Sequence, residues 1–429
     1  MPVSTSPSTA AASAAAKTYR SALALVTTLF FMWGFLTVLN DILVPHFKAV
    51  FDLNYTRVML IQFTFFSAYF ALSVPVGKIV GRIGYQSSMV LGLGVMGTGA
   101  LMFLPAAGAL SYPLFLAALF VLAAGMTVLQ VSCNPYVTVL GPPEGASSRL
   151  NLAQAFNSLG TAIAPWLGGL LILSNSAKTG DEIRAMTPGA LAAYRLGEAA
   201  SVKTPYLIFA GILFALGVVL WRVKLPVITS IEQHGEDAVE NGRVVRSAWR
   251  VRHLMLGALG IFLYCGAEVS IGSFLVNFFS QPEIGGLTEQ AGARYVSYYW
   301  SGAMVGRFAG AWLTRRIPAG RLLALFALIA SALVWVCIFS TGAFAMWSII
   351  LVGLFNSIMF PNIFALAIEG LGRLTSQGAG ILFMAALGPA VVPLAQGALA
   401  DRIGIHHAFV IPALCYLYVV YYGLRGCRH

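Results

Sequence analysis

The chain has 429 residues, 59% of them hydrophobic and only 10% charged. A soluble domain carries about 25% charged residues, so this composition excludes a soluble globular protein and suits about a dozen membrane-spanning helices of roughly 20 residues each. The net charge of +11 does not imply nucleic acid, because the basic residues cluster in short loops at alternate ends of the apolar runs.

In chain order, the segment from Met1 to Ala16 is rich in Ala, Ser and Thr and lacks a basic start. It reads as a disordered tail (residues 1–19 in all), not as a signal peptide. Twelve apolar spans follow, at 20–47, 57–80, 86–107, 112–139, 149–174, 204–223, 253–279, 293–313, 320–340, 344–369, 377–399 and 405–424. The expected fold is an all-α membrane protein with 12 transmembrane helices. An even number of spans puts both termini on one side. Most of the 26 Lys and Arg fall on that side, among them Lys78, Arg82, Arg149, Arg307, Arg315, Arg316 and Arg373, so both termini are expected in the cytoplasm. The longest polar break on that side divides the spans six and six. Two bundles at 20–223 and 253–429 are therefore expected, joined by a cytoplasmic linker at 224–252.

The bundles echo each other. Leu159-Gly160-Thr161-Ala162-Ile163-Ala164-Pro165 in span 5 ends four residues before Gly169, as Leu387-Gly388-Pro389-Ala390-Val391-Val392-Pro393 in span 11 ends four before Gly397. Asp41 in span 1 and Glu268 in span 7 stand at nearly the same offset. Weak parallel repeats of six spans are the mark of a transporter built from two related halves. Chance matching in a Gly- and Ala-rich chain is the bland alternative, and the six-plus-six layout weighs against it.

Of fifteen acidic residues, only Asp41 and Glu268 lie well inside a span. A carboxyl removed from water disfavours its charged form, and an intramembrane acid is usually kept for a proton, a cation or a polar ligand. Both are candidate cation-coupling groups. Either could instead be a neutral acid that merely hydrogen-bonds between helices. Span 4 carries Thr127, Gln130 and Asn134 on one helical face, and span 5 carries Asn151, Gln154, Ser158 and Thr161 on another, with Asn157 beside it. Amides both donate and accept, so two such faces suit a ligand bearing many hydroxyls. Helix–helix glue is the competing reading. The second half adds Tyr264, Glu268 and Asn277 in span 7, Trp300 in span 8 and Asn362 in span 10, where rings can stack on a sugar and amides can bind it. For any single aromatic, packing or interface anchoring is the commoner role. Gly302, Gly306 and Gly310 read as close helix packing.

No phosphate-binding loop is present, no His and Cys cluster suggests a metal, and no cofactor is expected. The six histidines, at span ends or in loops, read as solvated. The five scattered cysteines read as buried thiols.

Two runs make a resemblance specific. One is Asn134-Pro135-Tyr136-Val137-Thr138-Val139-Leu140-Gly141-Pro142, continuing into Arg149-Leu150-Asn151-Leu152-Ala153-Gln154-Ala155-Phe156-Asn157-Ser158. The other surrounds Asp41: Phe30-Phe31-Met32-Trp33-Gly34-Phe35, then Asn40-Asp41-Ile42-Leu43-Val44-Pro45-His46-Phe47-Lys48. The chain resembles the fucose permease and glucose/galactose transporter family, a branch of the major facilitator superfamily, over nearly its whole length. The resemblance implies a cation-coupled sugar symporter working by alternating access. It puts Asp41 at the family's central acid and Gln154 and Asn157 at amides that line the sugar site. Where the fucose permease has a proton-coupling glutamate, this chain has Gln130, which cannot titrate. That feature, and Tyr264-Cys265-Gly266-Ala267-Glu268-Val269-Ser270, resemble the glucose/galactose branch. A further departure is Gly81, where the superfamily's loop 2–3 motif usually has aspartate, so the usual charge latch between halves is absent or built differently.

The expected function is import of a hexose such as glucose or galactose, coupled most simply to H⁺, in a multi-pass protein of the cell inner membrane. The expected partners are a small sugar and the lipid bilayer, with no nucleic acid, and a monomer is expected. Sugar contacts are expected from Asp41, Gln130, Asn134, Gln154, Asn157, Tyr264, Glu268, Asn277, Trp300 and Asn362. Na⁺ coupling, an N-acetylglucosamine or fucose substrate, and a multidrug exporter of the same fold are the alternatives. A membrane enzyme fits poorly, since no nucleophile–base pair is visible.

Overall fold

A computed structural model describes Tyr19 and residues 21–37, 55–171, 186–201, 203–226, 239–240 and 243–427. Asp41, Asn40, the expected tail before Tyr19 and the middle of the expected linker lie outside the described residues.

The apolar spans become helices. In the first half these are α1 (Ser21–Thr37), α2 (Tyr55–Ile83), α3 (Tyr85–Gly108), α4 (Tyr112–Val139), α5 (Ala146–Leu171), a short additional helix α6 (Pro188–Ser201), and α7 (Lys203–Arg222). A two-residue antiparallel ladder, β1 (Val239–Glu240) with β2 (Arg243–Val244), sits in the linker. The second half contains α8 (Arg252–Phe279), α9 (Glu289–Leu313), α10 (Ala319–Phe339), α11 (Gly342–Asn356), α12 (Met359–Ile368), α13 (Thr375–Ala385), α14 (Gly388–Ile403), α15 (Ile405–Ala408) and α16 (Val410–Tyr421). Nine helical segments among the described residues are long and apolar enough to cross a membrane. The spans that fall outside that group are α1, described only in part, and α5 and α9, which carry the amide stripe and a run of Tyr, Trp and Arg.

Spans 10 and 11 are each interrupted, and the sequence explains where. Pro361 has no N–H to donate to the carbonyl four residues back, and the helix breaks at Ser357 and Ile358, between α11 and α12. Pro389 sits just past the break between α13 and α14. At the end of α4, Arg149 supplies the missing donors: its guanidinium donates to the carbonyls of Val137 at 3.0 Å, Thr138 at 2.6 Å and Pro142 at 2.9 Å. It therefore caps a helix end as well as contributing to loop charge.

Small residues let helices approach closely. A Cβ on Gly302 would meet the Leu354 backbone, one on Gly306 the Ser357 hydroxyl, and one on Gly310 the Ile358 side chain. The triplet thus seats α9 on α11 and α12, as its spacing implied. Gly125 and Gly99 do the same between α4 and α3.

The two halves meet through α2 against α13 and α5 against α9, with α12 and α13 also touching α5 and α4. Span 2 against span 11 and span 5 against span 8 are the same contact under the repeat that pairs span 5 with span 11, so the halves are related by a pseudo-two-fold. The contacts occupy one end of the bundle, towards the loops after α2, α4, α9 and α12. There the Cβ position of Gly77 lies 2.6 Å from the Ser376 carbonyl, that of Gly81 2.9 Å from the Ser376 hydroxyl, and that of Gly380 2.6 Å from the Ser73 carbonyl. Gly81, in place of an aspartate, permits close helix packing instead of a charge pair.

The histidine reading needs correction at two positions. His253 is buried, with Nε2 3.0 Å from the Glu369 carbonyl, and His406 Nε2 lies 2.7 Å from the Cys337 carbonyl. Each ring satisfies a backbone group near a span end instead of facing water. Cys133, Cys337 and Cys415 are buried as expected, Cys265 and Cys427 are half-buried, and all five are free thiols.

Candidate functional site

The amide faces of α4 and α5 meet. Gln154 Nε2 donates to Asn134 Oδ1 at 3.2 Å, Asn134 Nδ2 donates to the Gln130 carbonyl at 2.9 Å, and Gln130 Nε2 donates to the Tyr69 hydroxyl on α2 at 2.9 Å. Asn134 is buried, while Gln130 and Gln154 remain partly exposed. Helical spacing puts each residue on its face, and only the packing of α2, α4 and α5 joins them into one chain of polar groups.

Asn157 turns the other way. Its Nδ2 donates to the Phe30 carbonyl on α1 at 2.9 Å, and Gly34 leaves room for the amide, which a Cβ there would approach to 2.5 Å. It holds α1 to α5. The Thr37 hydroxyl, bonded to the Trp33 carbonyl at 2.8 Å, also touches Met126 Sδ on α4 at 3.8 Å. The end of α1 that leads to Asp41 therefore runs beside the turn before Gln130.

In the second half, Glu268 sits on α8 with Oε1 buried and unpartnered among the described residues. The Tyr264 hydroxyl, one turn earlier, and the Arg307 guanidinium on α9 both interact with this carboxyl. Arg307 Nε donates to the Ser357 carbonyl at 3.4 Å, the backbone group that Pro361 leaves free. Arg307 Nη1 donates to the Ser158 hydroxyl on α5. A second buried network adjoins: Asn356 Nδ2 donates to the Tyr299 hydroxyl at 2.7 Å, Tyr299 donates to the Glu268 carbonyl at 3.2 Å, and Ser270 donates to Gln396 Oε1 at 2.6 Å.

The remaining sequence candidates disperse. The Trp300 ring lies over Gly272, one turn beyond Glu268, at 3.1 Å from its Cβ position. Asn277 is exposed near the end of α8, away from the buried network. Asn362 is fully buried, and its Oδ1 accepts from Asn151 Nδ2 at 2.8 Å. It meets the first half at the closed end of the bundle, below the amide chain.

Sequence reasoning missed Tyr69, Arg307 and Gln396. By sequence alone Arg307 reads as loop charge. The available signal was its place two turns inside α9, between Gly306 and Gly310. Tyr69 and Gln396 carried no signal beyond a polar residue in an apolar span.

Residues 22–386 match the family described as the Major Facilitator Superfamily. A glucose/galactose transporter of Brucella abortus is 53% identical over 412 residues, covering 96% of this chain and 95% of that protein. A putative glucose/galactose transporter of Helicobacter pylori is 42% identical over 412 residues, 95% of this chain and 97% of that protein. The L-fucose-proton symporter of Escherichia coli is 36% identical over 402 residues, 93% and 92% of the two chains. The crystal structure of a Major Facilitator Superfamily transporter, FucP, in the outward conformation superposes with a TM-score of 0.88 at 35% identity, covering 96% of this chain and all of the other.

Proposed function

The chain belongs to the Major Facilitator Superfamily, and on that premise we propose that it is a proton-coupled sugar symporter that imports a hexose such as glucose or galactose. The observation that carries this reading is the continuous polar chain Tyr69–Gln130–Asn134–Gln154 inside an otherwise apolar bundle. Several amides and a phenol in one place match a ligand with many hydroxyls, and they match poorly the apolar compounds that a multidrug exporter carries. The 53% identity to a glucose/galactose transporter supports glucose or galactose over fucose.

Sugar is held by Gln130, Asn134 and Gln154, with Asn157 seating α1 against them and Trp300, Tyr264 and Glu268 facing from the second half. Asp41 and Glu268 load the proton. A protonated carboxyl avoids the cost of carrying a charge through the closed intermediate. Arg307 lies between Glu268 and the first half, so loss or gain of the Glu268 charge changes what Arg307 must satisfy at the boundary.

The contacts between halves lie at one end, as in an outward-facing carrier, and the bundles at 20–223 and 253–429 rock about them to give alternating access. The arginine-rich loops support a cytoplasmic position for that end and for both termini. The protein works as a monomer in the cell inner membrane. Proteoliposomes given a panel of labelled sugars, with a pH gradient alone and then a Na⁺ gradient alone, test the proposal. Concentrative hexose uptake driven by the pH gradient is expected. Uptake driven only by Na⁺ would move the coupling to the sodium alternative, and absence of any sugar uptake would sink the reading.

A further inference from the structure

We infer that the Asn151–Asn362 pair is the inner gate of this carrier, the side-chain layer that separates the amide site from a vestibule at the loop end. The inference rests on the transport reading above and adds the residues that open the path. Asn151 on α5 and Asn362 on α12 are both fully buried, and Asn151 Nδ2 donates to Asn362 Oδ1 at 2.8 Å across the boundary between the halves. Beneath them lies a cavity of about 940 Å³ whose walls include Thr138 and Ser147 from the first half and Arg315, Ala365, Ile368 and Glu369 from the second. Ser147 accepts from Asn151 Nδ2 at 2.8 Å and stands one turn below it on α5. Ala365 stands one turn beyond Asn362 on α12. At a rise of about 1.5 Å per residue, Asn151 is roughly 6 Å above that wall and roughly 4.5 Å below Gln154. One amide pair thus forms the roof of the vestibule and the floor of the sugar site.

The chemistry of the pair suits a gate. In the closed state Asn151 Oδ1 and Asn362 Nδ2 are both buried without a hydrogen-bond partner. A buried amide atom left unsatisfied is costly, whereas an exposed one bonds to water. The closed state therefore carries a built-in penalty that opening relieves. Ser148, which donates to the Ala311 carbonyl at 2.5 Å and accepts from Arg315 Nε at 3.1 Å, holds the same interface from the vestibule side, so closure does not depend on the amides alone. Leucines at both positions reverse the sign: they lose the unsatisfied atoms when closed and expose apolar surface when open.

The test uses the full-length chain with its five cysteines replaced by Ala and a Gln154→Cys reporter, in right-side-out and inside-out vesicles with a membrane-impermeant maleimide. Replacing the pair by Asn151→Leu with Asn362→Leu should slow labelling from the loop side by about tenfold or more, the effect of shifting a two-state population by one decade, while labelling from the opposite side persists. Asn362→Asp buries a charge only in the closed state and should speed loop-side labelling. Loop-side rates that are unchanged in both variants, or that move in the same direction, overturn the gate. Counterflow of labelled glucose by the unmodified chain is read separately, and its absence would count against the transport reading and leave the labelling result standing.

Discussion

Arg307 on α9 donates to the Ser158 hydroxyl on α5 and so carries a cation across the boundary between the two repeats. The same guanidinium takes the Ser357 carbonyl and faces Glu268. A hydrogen bond from a charged group contributes about 1.5–3 kcal/mol, so Arg307→Ala should lower coupled sugar uptake by roughly tenfold or more. Arg307→Lys keeps the charge and loses the planar fork, so partial recovery is expected. Initial uptake rates of the two variants under one pH gradient check this, and equal rates for Ala and wild type would remove Arg307 from the mechanism.

Gln154→Ala removes the donor to Asn134 Oδ1 and one of the amides proposed to hold sugar. The apparent affinity for the transported hexose should weaken by about tenfold, in line with the roughly 1 kcal/mol of an ordinary hydrogen bond plus the cost of a group left unpaired. A titration of counterflow against sugar concentration reads it. An unaltered affinity would take Gln154 out of the site.

Asp41→Asn should abolish accumulation against a gradient while exchange of labelled for unlabelled sugar continues. Gln130 supplies no titratable group in α4, so the proposed mechanism gives Asp41 the larger share of coupling. Glu268→Gln should reduce accumulation less. Concentrative uptake by Asp41→Asn at the wild-type level would reject the assignment.

Gly353→Val should destabilise the fold. A Cβ at this position collides with the Tyr299 carbonyl, which is backbone and cannot swing aside. Overpacking costs about 1–3 kcal/mol, visible as a lower thermal midpoint of the detergent-purified protein. Gly211→Ala, with open space around its Cβ position, is the control and should melt as wild type does.

The sequence by itself determined the class of fold and the character of the site. Charge and hydropathy are read one residue at a time, so Asp41 and Glu268 stood out against their spans, and the 3.6-residue period put Gln130 and Asn134, or Gln154 and Ser158, on common faces. Gly302, Gly306 and Gly310 announced a close packing because backbone approach requires small residues wherever the partner comes from. Tertiary structure alone decided which faces meet. Asn362 carries the same amide as Asn134, yet one closes the bundle against Asn151 and the other joins Gln154. Asn157 holds α1, although its neighbour Gln154 faces the polar chain. Arg307 looked like loop charge until the packing of α9 against α5 brought it to Ser158. Amide and guanidinium groups bond to whatever lies within about 3 Å, and in this bundle those neighbours lie from 20 residues away in sequence, for Gln154 and Asn134, to 211, for Asn151 and Asn362.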